Sequence, residues 1–427
     1  MPPRLFSRIA VDVTPLRESR DLRLLIGGEV ITGLGTQAAL VALPYQVYVE
    51  TKSAFLTGLL GAVELIPLMA MALLGGALAD RHDRRRLLLF DQIGLVIGAS
   101  ALAALAFAGS PPIALLYVLG AMMAGFGAIQ SVTTASIVPN LVAPERLRSA
   151  LALNYGLGTL TMVVGPAIGG LVIAGLGLGA AYLIDAASCL AIVATVWMMA
   201  AQPPRGAIAE HEPVLRAIGE GLRFVRGNQA LMGSFAIDLV AMTFGMPRAL
   251  FPVLAVSVYH AGAAGTGLLY AAVAAGATVA ALTTGWLAHA RRLGRIVIFA
   301  VRVWGVAVAV AGLASSLWVA AGLLAVAGAA DSISAVCRSS INQSVTPDHL
   351  RGRMSSVFSV VVTSGPRLGD VESGSVAALA GVRFSVLSGG LACLAGVGVI
   401  MLAFPALLRY DHEQVAAAAP LPSPAPV

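Results

Sequence analysis

The residues of this sequence that could carry chemistry are ionisable side chains placed inside long apolar runs. One such run contains the stretch SGPRLGDVESG, residues 364–374, with three charges among small and apolar neighbours. If these runs cross a bilayer, each charge costs about 2.5–3.5 kcal/mol on insertion scales, so it is expected to face a cavity or a partner. The residues in this position are Glu29, Glu64, Asp238, Arg248, Arg302, Asp331, Arg338, Arg367, Asp370 and Glu372.

Helical spacing predicts which of these charges can pair within one helix. Arg367 and Asp370 are three residues apart and share a helix face. Glu372 points about 140° away from Arg367, so it lies outside that pair. Asp331 and Arg338 are seven residues apart, which places them two turns apart on one face. Two roles stay open for the Arg367–Asp370 pair, which could lock helices together or contact the cargo.

Other charges in the apolar runs need partners elsewhere. Asp238 and Arg248 are separated by roughly 15 Å along a helix axis, too far for a direct pair. They are therefore expected to find partners on other helices. Asp185 follows the outer end of its run closely and is expected at the membrane interface. Arg302 lies about two turns from the inner end of its run and is expected to extend toward the headgroups.

Glu64 is the acid whose sequence context best suits a proton carrier. It lies near the middle of its apolar run, precedes Pro67 and has no basic residue within one helical turn. Desolvation without a neighbouring cation favours the protonated carboxyl, as a group that loads and releases protons requires. Asp238 is a comparable candidate in the other half of the chain. The alternative for each is a carboxylate paired permanently across helices.

Composition identifies the elements that position these residues. Hydrophobic residues make up 58 % of the chain, charged residues only 11 %, and the mean hydropathy is +0.88. A soluble protein carries roughly 25 % charged residues, so most of this surface must face lipid. The sequence therefore predicts an all-α polytopic membrane protein with two six-helix bundles. Its twelve predicted spans are 22–48, 54–79, 87–109, 112–138, 149–175, 178–200, 230–257, 263–288, 295–315, 317–341, 354–381 and 384–408.

The distribution of positive charge predicts the topology. All but six of the 27 lysines and arginines lie in the N-terminal segment, in alternate loops, in the middle linker or after the last span. Only Lys52 and Arg383 lie in the opposite loops. Because positive loops stay cytoplasmic, both termini are predicted inside, in a multi-pass protein of the bacterial inner membrane. The net charge of +6 thus reflects topology and not nucleic-acid binding.

The polar linker 201–229 divides the chain into a bundle at 22–200 and a bundle at 230–408. Apolar residues at helical spacing in the second half of this linker predict an amphipathic helix on the inner membrane surface. The segments 1–21 and 409–427 are predicted to be cytoplasmic. The last of them is rich in proline and alanine and is predicted to be disordered.

The two halves repeat each other at a spacing of about 200 residues, as duplicated secondary transporters do. Three pairs of segments match in order along the chain. They are GALADRHDRRR (76–86) with GWLAHARRLGR (285–295), VAPERLRSA (142–150) with VTPDHLRGR (345–353), and GPAIGG (165–170) with GPRLGD (365–370).

The loop segment 76–86 resembles the signature between spans 2 and 3 of the major facilitator superfamily. The matching positions are Gly76, Leu78, Asp80, Arg84 and Arg85, whereas Asp83 stands where glycine is usual. In that family the loop latches the two halves on the cytoplasmic face. The resemblance implies this gating role here, with Asp80 capping a helix and Arg84 bridging to a carboxylate of the other half.

The segment VVGPAIGG (163–170) resembles the span-5 signature of exporters in the same superfamily. Proline bends a helix and glycines allow close helix approach, so the resemblance implies a helix-bend motif. Its residues are Gly165, Pro166, Gly169 and Gly170, with Gly365 and Pro366 as the counterpart in span 11. The segments 64–88, 235–255 and 364–374 are similar to a bacterial branch that includes enterobactin and multidrug exporters. The arginine usual in span 4 is absent, since 120–127 reads GAMMAGFG.

These resemblances imply a secondary active exporter that works by alternating access. Inward proton flow would drive efflux of a bulky amphiphile such as a siderophore or antibiotic, with the proton gradient in place of a cofactor. Expected partners are a small-molecule substrate, protons and membrane lipids, without nucleic acid, for a monomeric protein. An uptake symporter on the same fold is the alternative. Tyr45, Gln37 and Asn154 either line the cavity or make ordinary interhelical hydrogen bonds.

No enzymatic chemistry is predicted. The sequence shows no paired nucleophile and base, no cluster of metal-ligating histidines and no phosphate-binding loop, so neither a catalytic nor a metal site is expected. The three cysteines, Cys189, Cys337 and Cys393, fall in separate apolar runs and are expected to be small core residues.

Overall fold

The computed structural model describes residues 12–109, 111–203, 214–347 and 350–411, which are almost entirely helical. The predicted all-α fold is confirmed, whereas the predicted disorder of the tail falls mostly outside the described residues. The helices are α1 (Thr14–Glu18), α2 (Arg20–Thr51), α3 (Ala54–Arg81), α4 (Arg84–Ala108), α5 (Ile113–Leu141), α6 (Leu147–Leu176), α7 (Leu178–Trp197), α8 (Val214–Arg226), α9 (Gln229–Phe244), α10 (Phe251–Val253), α11 (Gly262–Thr283), α12 (Leu293–Leu313), α13 (Leu317–Val345), α14 (Arg351–Ala380), α15 (Val382–Ala403) and α16 (Pro405–Arg409).

The long helices correspond to the predicted spans. Helices α2 to α7 are spans 1 to 6, α9 and the turns after it form span 7, and α11 to α15 are spans 8 to 12. Within the described residues, eleven helical segments are long and apolar enough to cross a membrane. Helix α14 is 30 residues long and fails only on composition, because it carries the charges of residues 364–374 and two arginines at its start.

Polar side chains fix the beginnings of several membrane helices. The hydroxyls of Ser19 and Ser53 accept the amides of Leu22 and Leu56, each at 3.2 Å, at the starts of α2 and α3. Such caps satisfy backbone donors that have no partner inside the helix. They hold each helix start in place at the point where the chain enters the apolar layer.

The chain divides into two compact units. The first contains the described residues up to 203 together with Ala249–Ala274, and the second contains 214–248 and the chain from Ala275 onward. The segment Ala249–Ala274, which sequence assigns to the second bundle, thus belongs to the first unit. The boundary at Arg248 coincides with an interruption of span 7, and the boundary at Ala274 lies within α11.

In the first unit, α7 packs closely on α2 and α4. Small residues make the approach possible, because an added Cβ at Gly28 would meet Ile192 and Thr195, and one at Gly35 would meet Ser188. Tightly packed small-residue contacts of this kind are the usual basis of helix association in lipid. The α7 face toward α2 and α4 is therefore fully enclosed by protein.

Span 7 is interrupted in the second unit. Helix α9 ends at Phe244, and a 3₁₀ turn begins only at Arg248, after Gly245 and Pro247. The interruption removes the regular helical donors, and the indole Nε1 of Trp304 on α12 donates instead to the carbonyl of Gly245 at 2.7 Å. Trp304 is fully buried, so this bond lies in a low-dielectric interior.

The predicted amphipathic helix of the linker is confirmed as α8. Glu220 on α8 forms an ion pair with Arg353 at the start of α14, with a nitrogen–oxygen distance of 2.7 Å. An added Cβ at Gly221 would collide with Val357 and the backbone of Arg353, so α8 lies directly against α14. Its place on the membrane surface stays a prediction.

Candidate functional site

The second unit contains a buried cluster of alternating charges on span 7 and α13. A guanidinium nitrogen of Arg338 on α13 forms an ion pair with the carboxylate of Asp238 on α9 at 2.7 Å, and both side chains are almost fully buried. The prediction that Asp238 finds its partner on another helix is confirmed. Pairing at this distance compensates for the loss of hydration that each charge suffers on burial.

Asp331 extends this cluster along α13. Its carboxylate lies 3.8 Å from the guanidinium of Arg338, as the seven-residue spacing predicts. Asp331 is also within electrostatic range of Asp238 and of Arg248, which follows the interruption of span 7. The formal charges of these four residues cancel, so the cluster is electrically neutral as a whole.

The charged stretch of α14 forms the predicted pair. A guanidinium nitrogen of Arg367 lies 3.9 Å from a carboxylate oxygen of Asp370. Glu372 lies outside this pair and is half-buried. Gly365 and Gly369 face Met242 on α9, where an added Cβ would meet the Met242 side chain and backbone. The Gly-Pro segment of α14 therefore serves close packing on α9, next to the charge pair.

The acids inside the spans of the first unit have no arginine within those spans away from the helix ends, unlike the acids of the second unit. Glu64 on α3 is 8 % exposed and lies beside Gly120 on α5. Glu29 on α2 faces the hydroxyl of Thr134 on α5. The sequence of spans 1 to 6 supplies no lysine or arginine beyond the helix ends, in contrast to the arginines of the second unit.

Two further acids in the first unit change the sequence-based account. Asp185 is fully buried on α7, so protein side chains surround its carboxyl, whereas its place at the membrane interface stays a prediction. Its Oδ1 atom accepts the hydroxyl of Thr36 at 3.3 Å and lies 3.9 Å from the thiol of Cys189. All three cysteines are buried thiols, as predicted.

Asp91 on α4 was missed by the sequence reasoning. It is fully buried, and neither of its carboxylate oxygens has a hydrogen-bond partner among the described residues. Asp91 lies five residues after Arg86, the last residue of the basic loop, so in the sequence it reads as part of that loop. The signal that could have found it is its depth, since it follows the start of α4 by two helical turns.

The loop between spans 2 and 3 is anchored within the first unit. Asp83 accepts the amides of Arg85 at 2.9 Å and Gln202 at 3.0 Å and is the N-cap of α4, so α4 is not the helix that Asp80 caps, and the capping role of Asp80 stays a prediction. Asp80 lies one turn earlier, in the last turn of α3. The residue that departs from the usual glycine therefore takes over the cap.

Arg84 and Arg85 donate to backbone carbonyls in the first unit. Arg84 reaches the carbonyls of Ala79 at 3.2 Å and Ser136 at 3.1 Å, and Arg85 reaches the carbonyl of Val196 at 3.0 Å. The predicted bridge from Arg84 to a carboxylate of the other half stays a prediction. Gly76 lies on α3 within reach of Val132 on α5.

The helix-bend motif of α6 permits the close approach that it predicts. Added Cβ atoms would bring Gly165 against Gln37 and Gly169 against Ala38, so α6 lies directly on α2. Gly170 faces Gly267 on α11, and Gly267 in turn faces the carbonyl of Pro166. Gln37 is thus a packing residue at this crossing. Tyr45 packs in a core cluster, and Asn154 is half-buried.

Comparison with known proteins places this geometry in context. The family described as transmembrane secretion effector, within the major facilitator superfamily, matches residues 11–426. An enterobactin exporter of Citrobacter koseri is 28 % identical over 388 residues, covering 91 % of each chain. The enterobactin exporter of Escherichia coli K12 is 28 % identical over 375 residues, covering 87 % of this chain and 89 % of the relative.

Solved structures share the fold at low sequence identity. The nucleoside transporter NupG has a TM-score of 0.73 at 12 % identity, over 90 % of this chain and 99 % of that protein. A bacterial homologue of the human lysosomal transporter Spinster, in an inward-facing and unoccupied conformation, has a TM-score of 0.69 at 16 % identity, over 96 % of this chain and 100 % of the homologue.

Proposed function

We propose that this chain, which belongs to the transmembrane secretion effector family of the major facilitator superfamily, exports a siderophore-like amphiphile in exchange for protons. Family and relatives make it a multi-pass bacterial membrane transporter of the enterobactin-exporter branch, not an enzyme. Export as the direction, a siderophore as the cargo class and protons as the driving ion are the steps proposed here.

The relatives support the direction and the cargo class. Enterobactin exporters match this chain along about nine-tenths of its length, so the likeness includes both bundles and not one shared motif. The partial exporter signature at 163–170 points the same way. An uptake symporter is the weaker candidate, because the relatives that match along most of the chain are enterobactin exporters.

The observation that carries proton coupling is the distribution of buried charge. Glu64 is only 8 % exposed near the middle of α3, and Glu29 lies inside α2. A carboxyl in such a place can exist in the apolar layer when it holds a proton and becomes costly when it loses it. Cyclic loading and release of these protons would couple the gradient to export by alternating access.

The charges of the second unit have a different role in this proposal. Asp238 and Asp331 share Arg338, so neither gains from carrying a proton while the arginine stays in place. We assign these residues and Arg248 to holding span 7 against α13. Arg367, Asp370 and Glu372 on α14 remain candidates for cargo contact, because Arg367 and Glu372 are only half-buried.

The remaining parts of the proposal concern placement and regulation. The charge distribution of the loops favours the bacterial inner membrane with both termini in the cytoplasm. Gly76, Asp80, Arg84 and Arg85 are proposed to gate transport as the superfamily loop does, now through a loop anchored by Asp83. We propose a monomer that binds its substrate, protons and membrane lipids and has no nucleic-acid partner.

Export can be tested in an enterobactin-producing host that lacks its own exporter. Expression of the full chain should restore secretion of enterobactin into the medium, measured by chromatography, relative to an empty vector. A screen of secreted siderophores and antibiotics in the same host would define the cargo range. Unchanged secretion of every compound, with the protein present in the membrane, would contradict the proposal.

Coupling requires purified protein in proteoliposomes. A pH gradient should drive enterobactin transport by the wild type, and Glu64→Gln should abolish the response to the gradient. Glu145→Gln is the matched control, because Glu145 is an exposed acid in the loop after α5. Transport that ignores the gradient in the wild type would remove protons from the mechanism.

A further inference from the structure

We propose that a row of buried polar side chains along α7 carries protons through the interior of the first unit. This row consists of Asp91, Cys189, Asp185, Tyr182 and Gln46, and we call it the α7 row. It deepens the proposed function, because it assumes that protons drive export. The α7 row is distinct from Glu64, which lies on α3 against α5.

The backbone of α7 places three members of the row on one face. Tyr182, Asp185 and Cys189 follow each other at spacings of three and four residues, so their side chains stack along the helix. Each of them is at most 1 % exposed. The stack therefore runs through the protein interior, shielded from lipid by α2 and α4.

Two hydrogen-bond contacts and two electrostatic interactions connect the members of the row. The thiol of Cys189 lies 3.9 Å from Oδ1 of Asp185, and Asp91 on α4 is close enough to act electrostatically on that thiol. Asp185 acts in the same way on Tyr182, whose hydroxyl donates to Oε1 of Gln46 on α2 at 2.8 Å. Titratable or hydrogen-bonding groups thus follow one another from α4 through α7 to α2.

The two carboxyls lie at different depths. Asp91 follows the cytoplasmic start of α4 by seven residues, which is about 10 Å along the helix. Asp185 lies seven residues after Leu178, where α7 begins at the opposite side of the membrane, which is again about 10 Å along the helix. In a hydrocarbon layer about 30 Å thick, the row therefore connects the inner third with the outer third.

The row contains buried polar atoms that no described residue satisfies. These atoms are both carboxylate oxygens of Asp91, Oδ2 of Asp185 and Nε2 of Gln46. Buried polar atoms normally have partners, so a group of unsatisfied ones along one path indicates that protons and water occupy it.

The charged surroundings leave a proton as the neutralising ion. The groups next to Asp185 are Tyr182 and Cys189 from α7 itself and the hydroxyl of Thr36 from α2, whereas Asp91 on α4 acts on Cys189. For α6, which also contacts α7, no charged residue lies between Arg148 and the end of the helix. No lysine or arginine in spans 1 to 6 is placed to neutralise either acid.

The test uses the full chain in proteoliposomes with enterobactin as the cargo. Asp91→Asn and Asp185→Asn should each lose transport driven by a pH gradient while retaining exchange of labelled for unlabelled enterobactin. A purely structural role would reduce both activities together. Glu145→Gln serves as the exposed control, and Asp185→Glu should restore part of the response to the gradient.

Three results would overturn the α7 row. If a pH gradient drives transport equally in the wild type and in both asparagine variants, the row is refuted and the proposed function stands. Wild type without any response to a pH gradient refutes proton coupling itself. If a sodium gradient drives transport by the wild type but not by Asp91→Asn or Asp185→Asn, the row carries sodium, and its role with protons is refuted.

A second measurement tests the row even if the asparagine variants fail to fold. Infrared difference spectra of the wild type, recorded across a pH series without cargo, should show buried carboxyls that exchange protons. The conservative variant Asp185→Glu should shift the frequency of one of these signals. Spectra in which no carboxyl signal changes with pH would contradict the row without any transport assay.

Discussion

The two units bury charge in opposite ways. In the second, Asp238 and Asp331 share the guanidinium of Arg338, and the cluster with Arg248 is neutral. In the first, the buried acids lie in spans without lysine or arginine away from the helix ends. The duplicated scaffold has thus kept its helices, while arginines lie inside the spans of the second copy and only near the span ends in the first. Charge pairing fixes structure, whereas an acid without a cation can respond to protons.

This difference also predicts how each unit responds to substitution. Removing one partner of a buried ion pair leaves an uncompensated charge, which is strongly destabilising. Replacing a carboxyl that has no cationic partner by its amide keeps volume and neutrality. The same kind of substitution is therefore a structural lesion in the second unit and a functional one in the first.

The largest effect is expected from Arg338→Ala. The variant leaves Asp238 and Asp331 buried without their shared cation, so the free energy of unfolding should fall by about 3–5 kcal/mol. Thermal unfolding in detergent, followed by circular dichroism, measures the change. The double variant Asp238→Leu with Arg338→Met should recover most of the loss. A single variant as stable as the wild type would erase the contrast between the units.

A smaller loss is expected from Trp304→Phe. The variant removes the donor to the Gly245 carbonyl at the interruption of span 7, and a buried unsatisfied carbonyl costs about 1–3 kcal/mol. Trp318→Phe is the control, since Trp318 is 73 % exposed at the start of α13. Equal thermal stability of the two variants would show that the indole bond does not stabilise the interruption.

Glu64→Gln and Asp238→Asn form a matched pair across the two units. Glu64→Gln keeps the volume of the side chain, so it should lower the free energy of unfolding less than Asp238→Asn does. Asp238→Asn should destabilise measurably, because it leaves Arg338 without its nearest anion. Thermal unfolding of both variants under one condition compares them. A reversed order would show that Glu64 is the structural acid.

The smallest effect concerns the N-terminal end of the first unit, where two exposed acids contact an arginine. Arg146 contacts Asp12 and Glu18, with side chains about 40–50 % exposed. Hydrogen bonds from the side chain and backbone of Thr14 hold the pKa of Asp12 below its ordinary value of 3.8. The lowered pKa means that this contact stabilises the fold above 3.8 and is lost as the pH falls through the lower value.

Limited proteolysis near residues 12–19 at neutral and strongly acidic pH tests this surface contact. Cleavage should increase at acidic pH in the wild type and already at neutral pH in Asp12→Asn. Because the groups are exposed, the effect on global stability should be close to zero. Acid-dependent unfolding of the whole first unit through Asp12 would contradict the surface character of the pair.

Sequence was sufficient for features set by periodicity and hydropathy. The helices, the amphipathic α8 and the pairs Asp331–Arg338 and Arg367–Asp370 follow from spacing along a single helix. The partner of Asp238 could be required but not named, because spacing says nothing about which residue of another helix lies opposite. Arg338 became that partner only through the packing of α9 against α13.

Other features required three-dimensional packing. Asp91 and Asp185 are near helix ends in sequence yet fully buried, because α2 and α4 enclose α7. The interruption at Gly245 and Pro247 reads as one continuous apolar run, so hydropathy could not show it. The cap by Asp83 could not be predicted from the superfamily loop, because Asp83 is the position that departs from its pattern.

The burial of Trp304 gives this protein a built-in optical reporter. The chain has four tryptophans, and the other three, Trp197, Trp286 and Trp318, are 70 %, 53 % and 73 % exposed on helices that face lipid. Brominated lipids should quench the emission of these three and spare Trp304. The unquenched, hydrogen-bonded indole emission then originates at the interruption of span 7, and its wavelength follows that backbone without any attached label.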